Sequence, residues 1–289
     1  MKIVISGTSG FIGSILKIHF RKLEYDVISL SRKHFRLNIH EFKELFREID
    51  VFINLAGEPI LQRWTTSTKN KLYNSRIETT EKVITAFKLL KDRPRLYIAS
   101  SAIGIYSANN DTHTENSTDF ANDYLGNLVK SWENSNMKAN DLFQVRLIIM
   151  RLGIVLGKSG GAYRKMRYPF RLGIGGRIGK GNMPFSFIHI DDLVKAIDFF
   201  MQNSEPKGIY NLCAPNPVSN KEFSKMLAKS LNRPSFMIIP EFILRLKYGK
   251  AASVLINTQK VISGRLGLSG FKFKYPTIEE SLKKLALKK

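Results

Sequence analysis

The sequence predicts an α/β protein, a doubly wound parallel sheet with a smaller, mostly helical lobe at its C-terminal end. Three observations predict it. Apolar runs of strand length alternate with amphipathic helical stretches through the first half of the chain. A glycine-spaced turn joins the first strand to the first helix, and helix-starting signals dominate the last 75 or so residues.

In order, Lys2–Ser6 reads as a buried strand, Ile12–Leu23 as a helix and Asp26–Leu30 as a second strand. A short element near Phe35–Leu37 follows, then a strand at Val51–Leu55, a long helix at Ser75–Leu90 and a strand at Arg95–Ala99. Asp123–Ala139 is helical and Gln144–Arg151 is a strand. Regularity breaks at Gly157–Gly181, whose Gly, Arg and Lys content reads as a loop or lid. Phe185–Ile190 is the next strand, Asp191–Met201 a helix with Asp191 as its N-cap, and Gly208–Leu212 one more strand. Ser219-Asn220-Lys221-Glu222 and Thr277-Ile278-Glu279-Glu280 have capping-box spacing and start helices. Residues 1–157, with return elements at about 185–212, form the sheet domain. Residues 158–184 and 213–289 form the second lobe.

Composition bounds what this fold does. With 289 residues, 43% of them hydrophobic, the chain has ample material for a large core. No run reaches the roughly 18 apolar residues of a membrane span. Cys213 is the single cysteine, which leaves no internal disulfide and no paired-cysteine zinc site and fits a reducing cytoplasm. The net charge of +22 would attract polyanions. Its lysines and arginines are scattered along the chain, however, and read as a solvated surface. Neither a specific nucleic acid nor a membrane is expected as a partner.

The turn Gly7-Thr8-Ser9-Gly10-Phe11-Ile12-Gly13 lies between an apolar strand and an amphipathic helix. Glycines there let backbone approach a pyrophosphate and aim the free N–H groups of the helix N-terminus at it. The turn therefore predicts a Rossmann-type site for a dinucleotide, with Gly7, Gly10, Phe11, Ile12 and Gly13 as binding residues. At the end of the second strand, where an NAD site places an acid for the ribose hydroxyls, this chain has Ser31-Arg32-Lys33. Cations attract a 2′-phosphate, so NADP(H) is expected in preference to NAD, with Ser31 and Arg32 in contact.

Those residues, with Asn54-Leu55-Ala56-Gly57-Glu58, Tyr97-Ile98-Ala99-Ser100-Ser101-Ala102 and Phe187-Ile188-His189-Ile190-Asp191-Asp192-Leu193, resemble the extended short-chain dehydrogenase/reductase superfamily. Gly57-Glu58-Pro59-Ile60 with Arg63-Trp64, the Asn74–Thr80 and Arg151–Gly157 stretches, Pro169–Gly173 and Gly270–Pro276 are similar to its sugar-nucleotide epimerase-like subgroup and that subgroup's uncharacterised C-terminal segment. The resemblance implies that Asn54, Leu55 and Ala56 lie beside the adenosine and pyrophosphate, and Ala99 and Ser100 beside the nicotinamide ribose. Arg76 replaces a superfamily asparagine and would meet a cofactor phosphate.

The same resemblance implies a tyrosine as general acid or base, a lysine four residues on that lowers its pKa, and a serine that orients the substrate. Tyr124 falls at the tyrosine position, the serine position falls on Ala102 with Ser101 one residue before it as the expected polar contact, and Leu128 stands where the lysine belongs. Lys130 lies roughly 240° round the helix from Tyr124 and would have to wrap back. The basic residues of Lys158–Gly181, among them Arg164, Arg167 and Lys180, suit a diphosphate-bearing substrate. His189 with Asp191 and Asp192 is read as a helix start, not as a metal site. The expected function is an NADP(H)-dependent epimerase or oxidoreductase acting on a nucleotide sugar or a small carbonyl compound. The alternative set by Leu128 is a non-catalytic NADP(H)-binding redox sensor or scaffold.

Overall fold

The computed structural model describes residues 1–287. Its centre is a sheet of six strands, β1 (Lys2–Ser6), β2 (Asp26–Leu30), β3 (Val51–Asn54), β4 (Leu96–Ala102), β5 (Arg146–Leu152) and β6 (Gly208–Leu212). All neighbours are parallel and the spatial order is β6-β5-β4-β3-β1-β2. The direction of winding reverses at β1, so β2 and β3 flank it and a crevice opens beyond their C-terminal ends.

The strands read as unbroken apolar runs because both of their faces are covered. Ile3, Ile5, Ile53 and Ile98 pack on one face with Leu16 and Phe20 of α1 (Phe11–Lys22). Val4, Phe52 and Tyr97 point to the other face and pack with Phe46 and Phe87. That second face is built by α2 (Ile39–Glu44), α4 (Ile77–Lys88) and α5 (Tyr124–Phe143), with α3 (Thr66–Asn74) leading into α4. A third core gathers around Tyr163, Phe187, Phe223 and Leu282. It joins α6 (Gly161–Arg171) to α8 (Asn220–Ser230) and α12 (Ile278–Ala286). Between them run α7 (Ile190–Gln202), α9 (Glu241–Tyr248), α10 (Ser253–Ile256) and α11 (Gly264–Leu268). Among the described residues no helix is long and apolar enough to cross a membrane.

Several local expectations are corrected. The short element expected near Phe35–Leu37 is a single 3₁₀ turn over His34–Arg36. Gly157–Gly181 is not a loop throughout, because α6 fills much of it, anchored by buried Tyr163 and Phe170 seven residues apart. Phe185–Ile190 is two short strands, and its Phe187–His189 piece pairs with Ile154–Leu156. The N-cap of α7 is His189, whose Nδ1 accepts the Asp191 N–H at 3.1 Å. Both capping boxes form, at Ser219 and Thr277. Asp192 is fully buried and its carboxylate accepts the N–H groups of Lys274 (2.7 Å) and Tyr275 (2.9 Å), pinning the C-terminal segment to α7.

Candidate dinucleotide cleft and adjoining cavity

At the end of β1, Gly7 has φ +74°, a conformation that costs an L side chain roughly 1–2 kcal/mol. A Cβ there would sit 2.5 Å from the Leu55 carbonyl oxygen, and one at Gly13 would sit 2.4 Å from the Gly7 carbonyl oxygen. The turn is thus closed on both sides by backbone. Gly10, the N-cap of α1, brings no side-chain hydrogen bond, and the first turn of the helix holds no acid. The first helical bond is Ser14 N–H to the Gly10 carbonyl, which leaves the N–H groups at the helix start free for an anion.

Buried polar groups hold the neighbouring strand ends. Ser6 Oγ donates to Asn54 Oδ1 (2.6 Å) and accepts the N–H groups of Leu55 (3.1 Å) and Ala56 (3.2 Å). Asn54 Nδ2 donates to Tyr97 Oη (3.1 Å), and Ser100 Oγ donates to the Asn54 carbonyl (2.9 Å). Asn54 and Ser100 therefore brace the backbone of the site from beneath, and neither they nor Ala99 line the cavity above it.

That cavity has a volume of about 1170 Å³. Gly7, Gly10, Ser31, Arg32, Leu55 and Ala56 line it, as do Lys71 and Lys82. Phe11, Ile12 and Gly13 do not. The Phe11 ring instead occupies a cradle of glycines, where a Cβ at Gly157, Gly160 or Gly161 would come within 2.4, 2.6 or 2.8 Å of it. At the β2 end, Arg32 is 85% exposed and its guanidinium pairs with Glu58 at 2.7 Å. The Ser31 N–H donates to His34 Nδ1 at 2.9 Å.

Gly57 and Glu58 line this cleft, and Arg76, which contacts both, lines a second cavity of about 260 Å³. Arg76 lies between the two. Its Nη2 donates to the Glu58 carbonyl (3.0 Å) and its Nη1 to the Leu72 carbonyl (3.2 Å), and its guanidinium stacks over Trp132. Burial lowers its pKa to about 10, while Tyr124 and Glu58 act to keep it charged. Arg76 lines the second cavity and not the first. Most of that wall is apolar, from Ile103, Leu125, Leu128, Val129 and Leu152. Trp132 lines it too, and its indole N–H is buried with no hydrogen-bond partner among the described residues.

The expected Tyr124–Ser101 pair is not brought together. The Tyr124 ring packs against Trp64 and its hydroxyl donates to the Lys69 carbonyl at 3.3 Å. Burial raises its pKa, and Arg76 opposes the rise. Ser101 is buried behind the cavity and donates to Glu133, which makes a two-pronged pair with Arg151 at 2.8 and 2.7 Å. Lys130 turns to Asn122 Oδ1. None of Arg164, Lys165, Arg167, Arg171, Arg177 and Lys180 lines either cavity.

Sequence reasoning missed Trp132, Glu133 and Arg151. The signal lay in α5, where Leu128, Val129, Trp132, Glu133, Asn136 and Ala139 form one buried helical stripe. A carboxylate on that stripe demands a cation, and β5 supplies it.

Sheet order, glycine turn and cleft define a dinucleotide-binding protein of the extended short-chain dehydrogenase/reductase class. The chain belongs to the NAD dependent epimerase/dehydratase family, whose model matches residues 3–213, and a domain of unknown function matches residues 239–285. It is 32% identical to the epimerase family protein SDR39U1 homolog, chloroplastic, of Arabidopsis thaliana, over 98% of this chain and 86% of that one. An epimerase family protein of Staphylococcus epidermidis is 33% identical over 96% of this chain and 97% of its own. Among solved structures, human epimerase family protein SDR39U1 with NADPH superposes with a TM-score of 0.91 at 30% identity, over 99% of both chains. A UDP-glucuronic acid 4-epimerase of Bacillus cereus, solved with NAD and a UDP-sugar analogue, has a TM-score of 0.80 at 16% identity over 99% of this chain and 98% of that one, a likeness of fold alone.

Proposed function

We propose that the chain is an NADP(H)-dependent oxidoreductase or epimerase that takes the dinucleotide in the larger cleft and a small carbonyl compound in the second cavity. One observation carries the choice of substrate. Trp132 lines an apolar cavity of about 260 Å³ and its buried indole N–H has no partner among the described residues, a donor that calls for an acceptor such as a carbonyl oxygen. The small volume, and the fact that no basic residue of Lys158–Gly181 lines either cavity, weigh against a nucleotide sugar.

The glycine cradle fits a pyrophosphate, because side chains at Gly7 and Gly13 would occupy the backbone approach it needs. Arg32 is the cation for a 2′-phosphate, which would compete with Glu58 for it. The structure of human SDR39U1 with NADPH supports that choice. When bound, the dinucleotide supplies or accepts hydride. Trp132 then donates to the substrate oxygen, and Arg76, still cationic at neutral pH, stabilises negative charge that develops there. Ser101 and Glu133 act as positioning residues behind the β4 end. Tyr124 reaches the substrate only if its hydroxyl leaves the Lys69 carbonyl.

The test is a screen of short aldehydes and ketones beside UDP-sugars with NADPH as reductant. Turnover is expected with the carbonyl compounds. Trp132→Phe, which keeps the ring and removes the donor, is expected to lower kcat/KM by about a hundredfold with NADPH affinity unchanged. Turnover of UDP-sugars alone would overturn the choice of substrate. A second reading, a non-catalytic NADP(H)-binding protein, is favoured by Leu128 and by the engaged Tyr124 hydroxyl, and tight NADPH binding with no turnover in any arm would select it.

A further inference from the structure

We infer that the face formed by α6, α9 and the strands between them docks on a bilayer surface rich in anionic lipid. From Lys158 to Ile190 the chain has seven Lys or Arg and no Asp or Glu, and from Lys229 to Lys250 five against Glu241 alone. The fold places these stretches side by side. Gly176–Ile178 pairs in parallel with Met237–Ile239, and the Gly179 N–H donates to the Ile239 carbonyl at 2.9 Å.

Large apolar side chains are exposed on the same two stretches. Tyr168, Leu172 and Ile174 come from the first; Phe236 (74% exposed), Ile238, Phe242 (66%) and Leu246 (71%) come from the second. No residue of α9 is buried. Isolated exposed leucines need no explanation, but phenylalanines, leucines and isoleucines gathered among cations do. A helix that lays Phe, Ile and Leu into the headgroup boundary with Lys and Arg around them matches an anionic membrane surface. A second copy of this chain would bring cation against cation across the contact. A nucleic acid would satisfy the charge and leave the apolar side chains in water. The two stretches together carry twelve Lys or Arg against one Glu, a large share of the +22 charge, and the inference goes beyond the expectation that a membrane is no partner.

The experiment is co-sedimentation of the full chain with phosphatidylcholine vesicles, with and without a third of phosphatidylglycerol. Binding is expected to the anionic vesicles and to be at least about tenfold weaker to the neutral ones. The double variant Phe242→Ser/Leu246→Ser, which removes the apolar side chains and leaves the charge unchanged, is expected to lose at least about tenfold in partition to anionic vesicles while keeping its thermal midpoint, since both side chains are exposed. Failure of the native chain to sediment with anionic vesicles would overturn the proposal. So would equal binding by the double variant, which would reduce the effect to charge, or a concentration-dependent dimer that the double variant abolishes, which would assign the face to a second copy.

Discussion

Gly13→Ala is expected to weaken NADPH binding by at least about a hundredfold, a loss of ~2.7 kcal/mol. The added methyl would lie 2.4 Å from the Gly7 carbonyl oxygen and 2.9 Å from the Thr8 Cα, both backbone atoms with Gly7 itself held against Leu55. Relief therefore requires α1 to move away from the turn, which withdraws its N-terminal N–H groups from the pyrophosphate position. The helix contributes Leu16 and Phe20 to the core and stays folded, so the thermal midpoint should fall far less than the affinity. Calorimetric titration with NADPH, beside a thermal melt, reads both. An affinity within threefold of the native chain would show that the pyrophosphate lies elsewhere.

Glu133→Leu is expected to destabilise the fold by about 3–5 kcal/mol. Glu133 and Arg151 are each only 3% exposed, and burial disfavours the charge on Arg151, which the hydrogen-bonded Glu133 carboxylate more than offsets. Removing the carboxylate strands the guanidinium. It also strips Ser101 of its acceptor at the end of β4. Tyr106 accepts from Arg151 Nη1 (2.8 Å) and donates to Asn211 (2.9 Å), and would be disturbed in turn. Replacing both charges, as in Glu133→Leu/Arg151→Met, should recover most of the loss, because it leaves no buried charge unpaired and only the Ser101 hydroxyl without its acceptor. Urea midpoints of the two variants decide it. Equal destabilisation by single and double variants would mean that packing, not the stranded charge, sets the cost.

The sheet was legible because buried parallel strands announce themselves as apolar runs, as at Lys2–Ser6 and Val51–Asn54, and because the glycine turn marks where the first one ends. Helix α6 was not, since glycines at 157, 160 and 161 read as loop when their actual task is to admit the Phe11 ring. Likewise, no local pattern distinguishes Asp191 from His189 as the cap of α7, because that choice depends on where the preceding strand stops. For the site, chemistry that depends on one turn was readable: Gly7, Gly10, Ser31 and Arg32 all line the cleft. What depends on contacts between distant segments was hidden. Arg76 is directed by the Glu58 carbonyl, Ser101 by Glu133 on α5, and the Tyr124 hydroxyl by Lys69 on α3.

Whether this cleft prefers a dinucleotide phosphorylated at the 2′ position is tested most directly by the affinities of the native chain and of Arg32→Ala for NADPH and NADH. NADPH is expected to bind the native chain at least about tenfold more tightly than NADH, with the difference falling to within about threefold in Arg32→Ala. Equal or tighter binding of NADH by the native chain would contradict that preference.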